Sequence, residues 1–196
     1  MKYFFLLLTI ACFIQQGLAQ QTTINSFNQQ RQRTDKTGLK ILAGYSAANI
    51  IYGSIAASQT SGSNKYFHQM NMIWNGVTLS ILSVGYLTSG KEGTLSLAET
   101  IKKQHGVEKL FLFNTGLDLA YVAGGAYLYE KSKTSNKNPE RLKGYGQSVM
   151  LQGSVLLVFD AVMFILHNKQ GKKLHALLEK LQPAATENGI GISYRL

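Results

Sequence analysis

Four apolar stretches, 38–58, 68–89, 110–130 and 145–167, dominate this sequence, each about the 20 residues that cross a hydrocarbon core of roughly 30 Å. Each also carries polar residues at helical spacing. Helix one holds Tyr45, Asn49 and Tyr52; helix two His68, Asn71, Asn75 and Thr78; helix three Asn114, Asp118 and Tyr121; helix four Tyr145, Gln152, Asp160 and His167. Steps of three, four, seven and eight place each set on one face. Four apolar helices with one polar face each share one interior, so the pattern predicts an all-α, four-span transmembrane helical bundle. Small residues in Ala43-Gly44, Gly124-Gly125-Ala126 and Gly153-Ser154 let such helices approach closely.

Composition narrows the function classes. With 196 residues, 45% hydrophobic, 15% charged and two prolines, the chain is one domain and too poor in charge to be disordered. The mean hydropathy of −0.03 averages apolar blocks with polar connectors. The formal net charge of +10 comes from short basic clusters beside apolar blocks, which fits anionic lipid headgroups rather than nucleic acid. Membrane lipids are therefore the expected partners. There is no His-x-x-x-His, no cysteine pair and no phosphate loop, and His68 and His167 stand at opposite ends of their helices. Neither a metal, a cofactor nor an enzymatic activity is expected.

The beginning of the chain has the parts of a secretory signal: Lys2, the apolar run 4–14, and Gly17-Leu18-Ala19 as the cleavage site. An uncleaved anchor helix is the alternative. Cys12, the only cysteine, lies in this leader. The predicted organisation is a cleaved signal peptide at 1–19, a polar segment at 20–37, the membrane domain at 38–167, an amphipathic helix at 168–182 and a tail at 183–196. Export of the mature N-terminus puts the loop 131–143 inside, with Lys131, Lys133, Lys137, Arg141 and Lys143. Lys91, Lys102, Lys103, Lys169, Lys172 and Lys173 would then lie outside, and they favour the inverse topology.

Two connectors read as helices on the membrane surface. Ser96-x-x-Glu99 is a capping box, and His105-Gly106 is a stop, which predicts a short helix over 97–105. Leu174, Leu177, Leu178 and Leu181 fall at i, i+3, i+4 and i+7 among basic residues, as in an interfacial helix or a stripe packed on a partner. Ile190, Ile192, Tyr194 and Leu196 alternate as one strand would, but no other segment alternates, so no barrel follows. The halves also align as two repeated helical hairpins. Lys40, Asn49 and Tyr52 fall over Lys109, Asp118 and Tyr121, while Lys65, Gln69 and Met72 fall over Lys143, Gln147 and Met150. Duplication and chance both produce matches this sparse.

Depth places the candidate site. Asn49 and Asp118 lie about eight residues into their helices and Asp160 about seven before the end of its own, all roughly 10–12 Å from one membrane face. Asn49, Asn75, Asp118 and Asp160 are therefore expected to form one interior layer. Two carboxylates in a low-dielectric layer share a proton, bind a cation, or pair with Asn114, Tyr52 and Tyr121. The candidate ligand or ion-binding residues are Asn49, His68, Asn71, Asn75, Asn114, Asp118, Tyr121, Gln152 and Asp160. The competing reading is a hydrogen-bonded network that only specifies packing. Four helices enclose little volume, so a homodimer is expected.

The segments Tyr66-Phe67-His68-Gln69-Met70-Asn71 with Trp74-Asn75, Asn114-x-Gly116-Leu117-Asp118-x-Ala120-Tyr121, Arg141-Leu142-Lys143-Gly144-Tyr145-Gly146, and Leu151-Gln152-Gly153 running to Asp160 carry a resemblance. Together they resemble an uncharacterised family of small bacterial membrane proteins over roughly 38–167. The resemblance implies a four-helix membrane domain behind a signal peptide, in the inner membrane of bacteria of the Bacteroides–Flavobacterium kind. It implies no activity.

Overall fold

The computed structural model of the chain describes residues 2–88, 93–179, 181–186 and 189–194, with side chains over 21–86, 93–176 and at 178. The body is all helical: α1 Lys2–Gln59, α2 Gly62–Thr88, α3 Leu97–Ser132 and α4 Pro139–Glu179. Each apolar stretch falls within one of these helices, the second running one residue past the described part of α2. A left-handed Gly62, at φ 59°, turns α1 into α2; that conformation costs a side-chain-bearing residue steric strain.

All four helices outrun their apolar stretches, α2 by six residues at its start. The polar segment 20–37 continues α1 rather than connecting to it, because 20–36 contains no glycine or proline to stop a helix and Ile24, Phe27, Asn28 and Arg31 are buried along it. The capping box is present as expected: the Glu99 backbone N–H donates to Ser96 Oγ, and Ser96 N–H and Oγ–H both donate to Glu99 Oε2. Gly106, however, does not end α3. A mid-helix glycine costs only about 1 kcal/mol relative to alanine. Gln104 spans that point, with Nε2 donating to Glu108 Oε1 at 2.8 Å and to the His167 carbonyl at 2.7 Å.

The separate amphipathic helix expected at 168–182 is the end of α4, which passes His167 without a break. Leu174 there is 4% exposed, so it packs inward rather than lying on a lipid surface. The expected single strand is one arm of an antiparallel hairpin, β1 Leu181–Thr186 and β2 Gly189–Tyr194, with Leu181 opposite Tyr194 and Pro183 opposite Ile192. The leader's side chains, including Cys12, and the side chains of Leu177, Leu181 and Leu196 lie outside the described residues.

Helices α1 and α2 form one hairpin, α3 and α4 the other, and α2 packs against α4 to join them. Glycines set the closest approaches. A Cβ on Gly53 of α1 would stand 3.4 Å from the Met72 amide nitrogen of α2, and one on Gly125 of α3 would stand 2.6 Å from the Met150 amide nitrogen of α4. Both hairpins bring a glycine against one of the two aligned methionines, although the glycines themselves are not aligned: Gly53 falls over Val122 and Gly125 over Ala56.

The distribution of side chains is inverted relative to a water-soluble domain. Ile51, Ile81, Phe113 and Val158 are 64–66% exposed, whereas Asn71, Asn75, Asp118 and Gln152 are 1–3% exposed. Among the described residues one helix, over Pro139–Ala176, is long and apolar enough to cross a membrane. Its most apolar window is only 28% buried, unlike the core helix of a soluble protein.

Candidate functional site

A hydrogen-bonded seam crosses three helices. Asn71 on α2 is its hub: its Oδ1 accepts from Ser148 Oγ at 2.7 Å and from Gln152 Nε2 at 2.8 Å, both on α4. Gln152 in turn accepts from the Tyr45 hydroxyl of α1 at 3.1 Å. Tyr45, Asn71, Ser148 and Gln152 face inward because their spacings put them on the sides where α1, α2 and α4 meet. Asn71, Ser148 and Gln152 are buried from solvent, and an unmade hydrogen bond there is costly.

Asp118 and Asp160 form a second feature. Their carboxyl groups come within hydrogen-bonding reach across the α3–α4 contact. A hydrogen bond between two carboxyls requires a proton on one of them. Asp118 Oδ2 is buried and accepts no hydrogen bond from any residue other than the paired acid.

The expected single layer is not what forms. Asn49 and Asn75 donate their amides to carbonyls one turn back on their own helices, Tyr45 O at 2.9 Å and Asn71 O at 2.8 Å. Equal depth does not bring Asn49 to the carboxylates, because α1 pairs with α2 and barely touches α3. Tyr121 packs edge-on against Trp74, centroids 4.8 Å apart, and Tyr52 against His68 at 5.5 Å. His68 is half-buried with Nδ1 unpartnered, and Asn114 is half-buried outside both clusters.

His167, read from the sequence as part of helix four's polar face, belongs to a third polar cluster whose other members, Asn28, Thr34, Asp35, Thr100 and Gln170, the spacing argument did not single out. Where the middle of α1 and the first half of α3 meet the later part of α4, His167 is fully buried, stacked on Phe111 with centroids 5.4 Å apart. Its Nε2 lies 3.0 Å from Asp35 Oδ1, close enough for an ion pair when the ring is protonated but not aligned as a hydrogen bond. Asn28 donates to Thr100 Oγ1 at 2.8 Å and Gln170 to Thr34 Oγ1 at 2.7 Å. The signal that could have found it is the recurrence of Asn28, Arg31 and Asp35 at steps of three and four before the first apolar run.

Beside the line where α1 touches α4 lies an open, largely apolar groove of about 610 Å³ that includes Ile41, Tyr45, Val158 and Val162. Neither aspartate lines it.

A family of unknown function, DUF6992, matches residues 41–161. The chain belongs to that family. The matched segment contains the whole seam and the acid pair, in agreement with the resemblance read from the motifs, and stops short of His167. No curated protein and no solved structure matches the chain.

Proposed function

We propose that this DUF6992 protein is an integral membrane protein whose four helices all cross the bilayer, with a polar seam that specifies how they pack and an acid pair that holds one proton or cation between α3 and α4. The observation that carries this is the inversion of exposure: large aliphatic and aromatic side chains outside, amides and carboxyls inside. Lipid satisfies the first and cannot satisfy the second. Polar residues on α1, α2 and α3 lower their mean hydropathy without removing their apolar outward faces. The leader-like start and the motif resemblance support a multi-pass protein of a bacterial inner membrane; lipids as partners follow from the basic clusters, a second copy from the small volume four helices enclose, and a non-enzymatic role from the missing motifs.

Between the two roles for the interior, packing comes first. The seam is closed by hydrogen bonds, and the groove does not reach Asp118 or Asp160. A binding or permeation role for a proton, cation or small polar ligand is favoured by one observation, that the buried Asp118 Oδ2 meets no donor other than the Asp160 carboxyl. Thermal melts across pH and a panel of cations separate them. If the pair binds, wild type responds to pH or cation and Asp118→Asn and Asp160→Asn do not; if it only packs, both Asn variants and the wild type give flat, equal profiles, while Asp→Leu lowers stability. Resistance of the membrane-bound chain to alkaline carbonate tests the membrane reading itself.

A further inference from the structure

We infer that the groove between α1 and α4 seats one acyl chain of an anionic phospholipid, with the lipid phosphate at Arg33. This rests on the membrane reading above. The groove is graded along its length: Gln30, Arg33 and Thr37 line one end, and aliphatic and aromatic side chains line the rest. From Thr37 to Tyr45 on α1 is about 12 Å, and from Leu166 to Val155 on α4 about 16 Å, close to the roughly 15 Å of one leaflet. The apolar part therefore has the length of a leaflet, and its polar end falls where headgroups lie.

Charge complementarity selects an anionic lipid. Arg33 is exposed, and makes no ion pair among the described residues. Lys36 and Lys40 on the middle of α1, and Lys169, Lys172 and Lys173 late on the antiparallel α4, are exposed near the polar end of the groove. The acid on that part of α1, Asp35, is already opposite His167. The groove persists because α1 and α4 touch along a narrow line. They meet where Gln170 bonds Thr34, where Gly38 admits Met163, and where Tyr45 bonds Gln152, and the chain leaves the space beside that line open.

The test is native mass spectrometry of the detergent-solubilised full chain titrated with phosphatidylglycerol and with phosphatidylcholine. Wild type is expected to retain one phosphatidylglycerol at concentrations where phosphatidylcholine dissociates. Val158→Trp and, from the other wall, Ile41→Trp should fill the groove and abolish that adduct, while Leu112→Trp, exposed on α3, leaves it. Arg33→Gln should weaken phosphatidylglycerol binding about fivefold and leave phosphatidylcholine unchanged, the factor expected for one basic residue beside an anionic headgroup. Retention of the adduct by both groove tryptophans, each with a wild-type melt, overturns the proposal. So does a lipid-free dimer that the tryptophans dissociate, since a second copy then fills the groove. Equal affinity of wild type for the two lipids overturns the assignment of the phosphate to Arg33. Carbonate extraction keeps the two readings apart: a membrane-resistant chain with unchanged binding in the groove variants defeats only this inference, whereas a carbonate-soluble chain defeats both.

Discussion

Gly125 on α3 and Gly146 on α4 meet backbone to backbone: a Cβ on Gly125 would stand 2.8 Å from the Gly146 carbonyl oxygen, and one on Gly146 would stand 2.7 Å from the Gly125 carbonyl oxygen. Neighbouring Gly124 has open space around its Cβ position. Adjacent glycines should therefore respond oppositely to alanine. Gly124→Ala should raise stability by up to about 1 kcal/mol through helix propensity. Gly125→Ala should lower it by about 1–3 kcal/mol, as overpacking does. Denaturation in mixed micelles measures both, and equal effects would show that α3 and α4 do not pack through this point.

Asn71 accepts two hydrogen bonds from α4, whereas Asn49 bonds only within its own helix. Asn71→Ala should cost about 1–2 kcal/mol, since interhelical hydrogen bonds in membranes average about 0.6 kcal/mol and two buried donors lose their acceptor. Asn49→Ala should be nearly silent. The difference is read from the same denaturation series.

His167 ties the polar middle of α1 to α3 and α4. His167→Ala removes a fully buried ring and should cost about 3 kcal/mol; His167→Phe keeps a ring beside Phe111 and should cost less. Hydrogen exchange locates the effect. Protection over 24–37 should fall in both variants, and protection over 41–58 should stay unchanged in His167→Phe.

At the start of α3, hydrogen bonds from the Ser96 hydroxyl and backbone hold the Glu99 carboxyl below its ordinary value of 4.5. A lowered folded-state value means that the ionised form supports the cap at pH above 4.5, and that this support disappears as pH falls through the folded value. Amide protection at Ser96 should drop in that acid range for wild type, and should be independent of pH there in Glu99→Gln. An unchanged wild-type profile would contradict the capping geometry.

Orientation is open to fusion reporters. If the leader sets it, a reporter at Ser135 is cytoplasmic and one after Leu196 is exported. An exported Ser135 fusion would mean that the lysines flanking the other loops prevail.

The sequence by itself determined which residues are helical faces and which helices are the apolar ones, because a period of 3.6 residues and the glycine, proline and capping signals are local. Asn71, Gln152, Asp118 and Asp160 were legible as interior residues for that reason. Helix length was less legible: nothing within 20–37, at Gly106 or after His167 says locally that packing of Phe27, Gln104 and Leu174 carries the helix onward. Only the tertiary structure decided which polar faces meet. Depth arithmetic put Asn49, Asp118 and Asp160 at one level, yet the pairing of α1 with α2 and of α3 with α4 gives Asn49 a carbonyl of its own helix and leaves the two carboxyls to each other. Spacing along a helix fixes the height and direction of a side chain. The neighbour it reaches depends on which helices pack together, and here that follows from the small residues at Gly53, Gly125 and Gly146, where backbones of distant sequence come into contact.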